Sequence, residues 1–144
     1  MKKILLFVGV MGFALYTFAQ ELPKPSPHAK IEQRIGLTDV SVEYSRPKKN
    51  DREIFGALVP YGQLWRTGAN LATNFTTSSD IEINGEKLAA GSYSFFVTPS
   101  ENEKWEIAFN TDTKLWGNSG YDESKTVLTS YGMVETLDHS IESM

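Results

Sequence analysis

Apolar and polar residues alternate along much of this chain with a period of two, the spacing of a strand that buries one face. Ala29, Ile31, Gln33 and Ile35 alternate with Lys30, Glu32 and Arg34. A turn at Gly36-Leu37-Thr38 follows, and then Val40, Val42 and Tyr44 alternate with Ser41 and Glu43, which predicts a β-hairpin. Residues 45–72 break the period: Ser45-Arg46-Pro47 ends the strand, Lys48 to Arg52 is charged, and Ile54 to Trp65 is apolar but punctuated by Gly56, Pro60 and Gly62. This stretch predicts a long ordered connection, and loops of that length in compact domains are functional or packed on themselves. Strand patterning resumes at Thr73 to Thr77 and Ile81 to Ile83. Asn84-Gly85, suited to a type I′ turn because both residues tolerate positive φ, precedes Glu86 to Leu88. Tyr93, Phe95 and Val97 share one strand face, as do Trp105, Ile107 and Phe109. A second irregular loop, Asn110 to Ser124, leads to a last alternating stretch through Val127, Thr129, Tyr131 and Met133. Short strands at near-regular spacing, with no long 3.6-period helix, predict an all-β fold: an antiparallel β-sandwich or partly open barrel carrying one long ordered loop.

The first residues follow another plan. Lys2 and Lys3 precede an uncharged apolar run from Ile4 to Phe13, and Thr17-Phe18-Ala19 places small residues at the −3 and −1 positions of a cleavage site. The run is shorter than the roughly 20 residues of a spanning helix, so residues 1–19 are expected to be a cleaved signal peptide. Residues 20–27, with three prolines, read as an extended leader. Residues 28–144 then form one β domain, with no membrane span after signal cleavage.

Composition narrows the chemistry. Without residues 1–19 the chain keeps twelve basic against eighteen acidic side chains, a formal charge of −6. Such a surface repels phosphate backbones, and no basic run appears, so nucleic acid is not an expected partner. The absence of cysteine removes disulfides, thiolate metal sites and thiol nucleophiles together. His28 and His139 are the only histidines, each near an end of the leaderless chain, and no H-E-x-x-H, nucleophile elbow, P-loop or dinucleotide motif occurs. Catalytic residues are therefore not assigned, and no cofactor is expected.

One segment concentrates recognition chemistry: Trp65-Arg66-Thr67-Gly68-Ala69-Asn70, with Arg46 and Tyr61 upstream. An Arg beside a Trp can stack on an aromatic face while presenting a donor fork to a carboxylate or phosphate. The competing role is structural, with Arg46 and Arg66 pairing with Asp51, Glu53 or a carbonyl to pin the long loop, and the sequence favours it because interior charges need partners. Trp116 and Tyr121 form either a stacking platform for a sugar ring or the plug of a sandwich end. Asn110, Asp112, Asn118 and Asp122 offer oxygen ligands, but Leu115 stands where a calcium loop requires Gly, and Asx turns explain the same residues. No metal is expected.

Val42-Glu43-Tyr44-Ser45-Arg46-Pro47, Ile54 to Gly62, Trp65 to Asn70, Leu88 to Phe96, Trp105 and Trp116-Gly117 together resemble the exported bacterial domain-of-unknown-function family 2911. The resemblance implies an all-β exported domain and no established activity or ligand. Ala89 and Ala90 stand where that family often has Pro, and its pattern continues with further strands beyond Met144, so the chain is expected to be C-terminally truncated. The stretch from Val127 to Ile141 is accordingly expected to run as a strand lacking a neighbour, with self-association through that exposed sheet edge. The function expected is small-ligand or envelope-partner binding in the periplasm or at the cell surface. The alternatives are a hydrolase acting on an envelope carbohydrate or ester through Arg66, Asn70 and an acidic residue, and a structural envelope-assembly module.

Overall fold

The computed structural model describes residues 22–144; the expected signal segment lies outside the described residues. Strands β1 (His28–Ile35), β2 (Thr38–Ser45), β3 (Ala69–Thr77), β6 (Gly91–Thr98), β7 (Lys104–Asn110) and β8 (Thr126–Met133) form one antiparallel sheet in that order. Strands β4 (Ile81–Ile83) and β5 (Glu86–Leu88) form a separate two-stranded hairpin. The architecture is thus all-β, a six-stranded sheet with a small second sheet on one face, and β1 and β8 stand at opposite edges rather than closing a barrel. A single 3-10 turn, Glu123–Lys125, precedes β8.

Both faces of the central strands are buried: in β6, Ser94 and Phe96 are buried on one face and Tyr93 and Val97 on the other. Leu88, Tyr93, Phe109 and Leu128 form one core cluster, joined by Ile81 and Ile83 from the hairpin. Ala72, Phe96, Ala108 and Leu115 form the other, joined by Leu64 and Tyr121. The irregular segments therefore act as the second layer on one face and the hairpin as the second layer on the other. Phe75, Tyr93 and Phe95 meet Phe109 at centroid separations of 5.2–6.3 Å, in the edge-on and tilted geometries that aromatic quadrupoles favour.

The Asn84-Gly85 turn has positive φ at both residues, 52° and 85°, as a type I′ turn requires. Asn84 also docks the hairpin, donating through Nδ2 to Ser130 Oγ and to the Tyr131 carbonyl, both at 2.8 Å.

At the C-terminal side the structure differs from expectation. Leu128 and Ser130 face the core, and Val127, Thr129, Tyr131 and Met133 are exposed. The period of two is correct, but apolar character sits on both faces and misidentifies the inner one. The strand ends at Met133. Residues 134–144 return across the molecule as an irregular segment whose Ser143 pairs with Lys48 in an antiparallel bridge.

Candidate functional site

The long connection, 46–68, is ordered by its own main chain and by the returning C-terminal segment. Val59 donates to the Ile54 carbonyl at 2.7 Å, Gly56 to Val59 at 2.9 Å, and Lys49 to Glu142 at 2.7 Å. Trp65 exchanges two main-chain hydrogen bonds with Val97, at 2.8 and 2.9 Å, so this part of the loop extends the sheet beside β6. Phe55 packs edge-on against Trp105, 4.5 Å between centroids, and against Trp65 at 5.7 Å. Trp105 is itself fixed by its indole N–H on the Ser100 carbonyl.

These segments enclose a cavity of about 560 Å³. Its apolar wall includes Ile54, Phe55, Leu58, Val59, Trp65 and Ile141. Its charged side chains are Lys48, Lys49, Arg52 and Arg66 against a single side-chain carboxylate, Glu142, an excess of three positive side-chain charges in a chain of net charge −4. Arg52 is anchored by donating from Nε to the Lys49 carbonyl, 2.9 Å, and from Nη2 to the Lys48 carbonyl, 2.6 Å. Glu142 accepts the Asn50 N–H at 3.1 Å. Among the described residues none of the four cations forms an ion pair.

Arg66 stands at the boundary between this cavity and the 115–118 loop. Its Nε is buried without a hydrogen-bond partner. A Cβ added at Gly117, where φ is +66°, would lie 3.4 Å from Arg66 Nη1, so glycine keeps the space beside the guanidinium clear. That loop is held to the Trp65–Asn70 segment at several points. Gly117 donates to the Asn70 carbonyl at 3.0 Å, Leu71 bridges Trp116, and the Asn118 side chain donates to the Leu64 carbonyl. Gly68 serves a close approach of a different kind: a Cβ there would meet the Ser45 carbonyl of β2 at 3.1 Å.

The structure thus brings Trp65 and Arg66 to the cavity wall and places Asn70, at the start of β3, beside Trp116 of the 115–118 loop. Asn70 is exposed, and Trp116 is 65% exposed. Arg46 lies just outside the cavity and donates from Nε to the main-chain oxygen of Met144 at 2.6 Å. Neither Arg46 nor Arg66 pairs with Asp51 or Glu53 among the described residues; of the partners expected for a pinning role, Arg46 meets the Met144 main-chain oxygen and Arg66 Nε meets none. Tyr61 packs its ring over Gly56 and does not line the cavity. Tyr121 packs on Phe96, centroids 5.0 Å apart, and shares a hydrogen bond with Thr126 Oγ1, so it serves the core.

The Asx-rich loop closes on itself. Asn110, fully buried, donates to the Asp122 carbonyl and accepts the Asp112 N–H, and Asp122 accepts from the Ser124 N–H and hydroxyl. Those Ser124 bonds hold the Asp122 carboxyl below the usual aspartate range. Among the described residues no group of three or more His, Cys, Asp or Glu side chains is gathered, and no helix is long and apolar enough to cross a membrane.

Sequence reasoning missed Lys48, Lys49, Arg52 and Glu142 as site residues. The lysines and Arg52 read as a solvated loop, and nothing local signals that residues 141–144 fold back onto them.

No curated protein and no solved structure matches the chain. A family model does, over residues 26–144, spanning every strand described above and the returning C-terminal segment. The chain belongs to that family, the proteins of unknown function DUF2911.

Proposed function

We propose that this is an exported binding domain whose cavity takes a small amphipathic anion, an apolar body carrying a carboxylate or phosphate head. The observation that carries the reading is the pairing of an apolar wall with an unneutralised cationic set inside an otherwise acidic protein. Cavities of this size suit small ligands, and a few placed polar groups on an apolar wall set their orientation. The wall offers Phe55, Leu58 and Trp65 to the apolar body, and Lys48, Lys49 and Arg66 to the head. Binding accounts for the site better than hydrolysis, because no histidine lines the cavity and its one side-chain carboxylate already accepts a main-chain N–H. Export to the periplasm or cell surface is supported by the Lys2-Lys3 pair, the apolar run after it and the Thr17-Phe18-Ala19 triplet.

Titration calorimetry with decanoate, decyl phosphate and decyltrimethylammonium tests the reading, since the three share a tail and differ in head charge. Saturable binding of the anions, weakened roughly tenfold or more by Lys48→Glu with Lys49→Glu, is expected. Equal binding of the cationic amphiphile, or no saturable binding of either anion, overturns it.

A further inference from the structure

The two edges of the main sheet are not equivalent. On β8 the outward-facing carbonyl of Tyr131 is capped by the Asn84 side chain, which obstructs strand addition there. The outer edge of β1 has no partner among the described residues and runs for eight residues without a proline or bulge.

The main-chain orientation of that edge follows from the pairing with β2. Arg46 donates its N–H to the Pro27 carbonyl at 2.8 Å, in the same register that pairs His28 with Ser45 and Ile35 with Thr38. Hydrogen-bonded and non-hydrogen-bonded pairs alternate along an antiparallel ladder. The odd-numbered residues of β1 therefore bond to β2. The N–H and C=O groups of His28, Lys30, Glu32 and Arg34 point to the open side.

We propose that the β1 edge pairs antiparallel with β1 of a second copy of this chain, with Ile31 of each on the two-fold axis. This register gives every outward main-chain group a partner. It sets Lys30 opposite Glu32 of the other copy and Glu32 opposite its Lys30, with His28 opposite Arg34. Alternatives are poorer: centring on Glu32 opposes Glu32 to itself and Lys30 to Arg34, and centring on Lys30 opposes two lysines. Centring on Gln33 leaves only Glu32 and Arg34 paired.

On the other face Ile31, 56% exposed, lies beside half-buried Val42 of β2. Pairing would join Val42 and Ile31 to the same residues of the second copy in one apolar stripe. Ile31 would sit in a non-hydrogen-bonded pair, where side chains approach most closely. The alternating charges do not block this contact, because they are self-complementary in one register and Lys30 already lies 2.6 Å from Glu32 and 3.3 Å from Glu43.

Light scattering across a concentration series is expected to give a mass rising to twice that of the chain. Lys30→Glu or Glu32→Lys alone should raise the dissociation constant roughly tenfold or more, and the double swap, which restores opposite charges across the interface, should recover it. The chain has no cysteine, so Ile31→Cys provides a clean register probe. The Cα separation of about 4.5 Å in such a pair is within disulfide range. Ile31→Cys should oxidise to a covalent dimer, and Tyr131→Cys, comparably exposed on the opposite edge, should not. A mass that stays monomeric throughout, a double swap no better than the singles, or cross-linking of Ile31→Cys no faster than Tyr131→Cys overturns the proposal.

Discussion

Arg66 carries its positive charge into a half-buried position and receives no carboxylate in the described structure. A guanidinium in that setting bears a desolvation cost that no ion pair offsets, and even buried ion pairs can often be replaced by apolar side chains of similar volume with no loss of stability. Arg66→Met is therefore expected to melt at or above the wild-type temperature while losing decanoate binding. A clear fall in melting temperature would return Arg66 to the pinning role that its sequence context suggests. The Trp-Arg adjacency, readable in the sequence, singles out the residue. Whether its charge is neutralised depends on where Asp51 and Glu53 turn in the folded loop, which no local pattern encodes.

The hairpins were the most legible elements, because each turn and its flanking alternation specify the same register. The β1–β2 hairpin adds a charged clasp near its turn: Arg34 donates from Nε and Nη2 to the two carboxylate oxygens of Asp39, both at 2.7 Å. Those hydrogen bonds, reinforced by the charge of Arg34 and opposed by slight desolvation, hold the Asp39 carboxyl below its ordinary value. Its contribution to stability is present above the unfolded-state value of about 3.9 and disappears as pH falls through the lower folded value. Following the Asp39 side-chain carbon by NMR should place its midpoint below that of the Arg34→Gln variant; coincident midpoints would show that the clasp is not populated in solution. Strand β8 marks where legibility fell off. Val127, Tyr131 and Met133 are as apolar as a core face, yet Leu128, paired with Phe109, fills the core. The inner side was set by where the β4–β5 hairpin lands, a tertiary fact.

Across the whole molecule, burial is steeply graded from the middle of the sheet to its edges. Phe96 is fully buried between Ala72, Ala108 and Leu115, whereas Ile35 at the end of β1 is 64% exposed. Phe96→Ala should cost about 3–5 kcal/mol, a large part of the roughly 5–15 kcal/mol that holds a domain together. Ile35→Thr should stay within about 0.5 kcal/mol. Urea melts of the two variants measure the gradient, and similar losses at both sites would contradict it. The all-β class was readable from periodicity. The division into one broad sheet with irregular segments as its second layer was not, because residues 46–68 and 110–122 pack Leu64 against the core and bury Leu115 in it without any strand pattern.

The cavity draws its wall from residues 26, 47–59, 65–69 and 141–144, stretches that meet only in the folded chain, and the bridge between Lys48 and Ser143 fastens the last of them. An occupant touching all four would bind the folded form alone and suppress local opening at the 141–144 segment, where proteases gain entry to loosely held chain. The protein's lifetime would then track the supply of such an occupant: scarcity would shorten it, and abundance would let the protein accumulate.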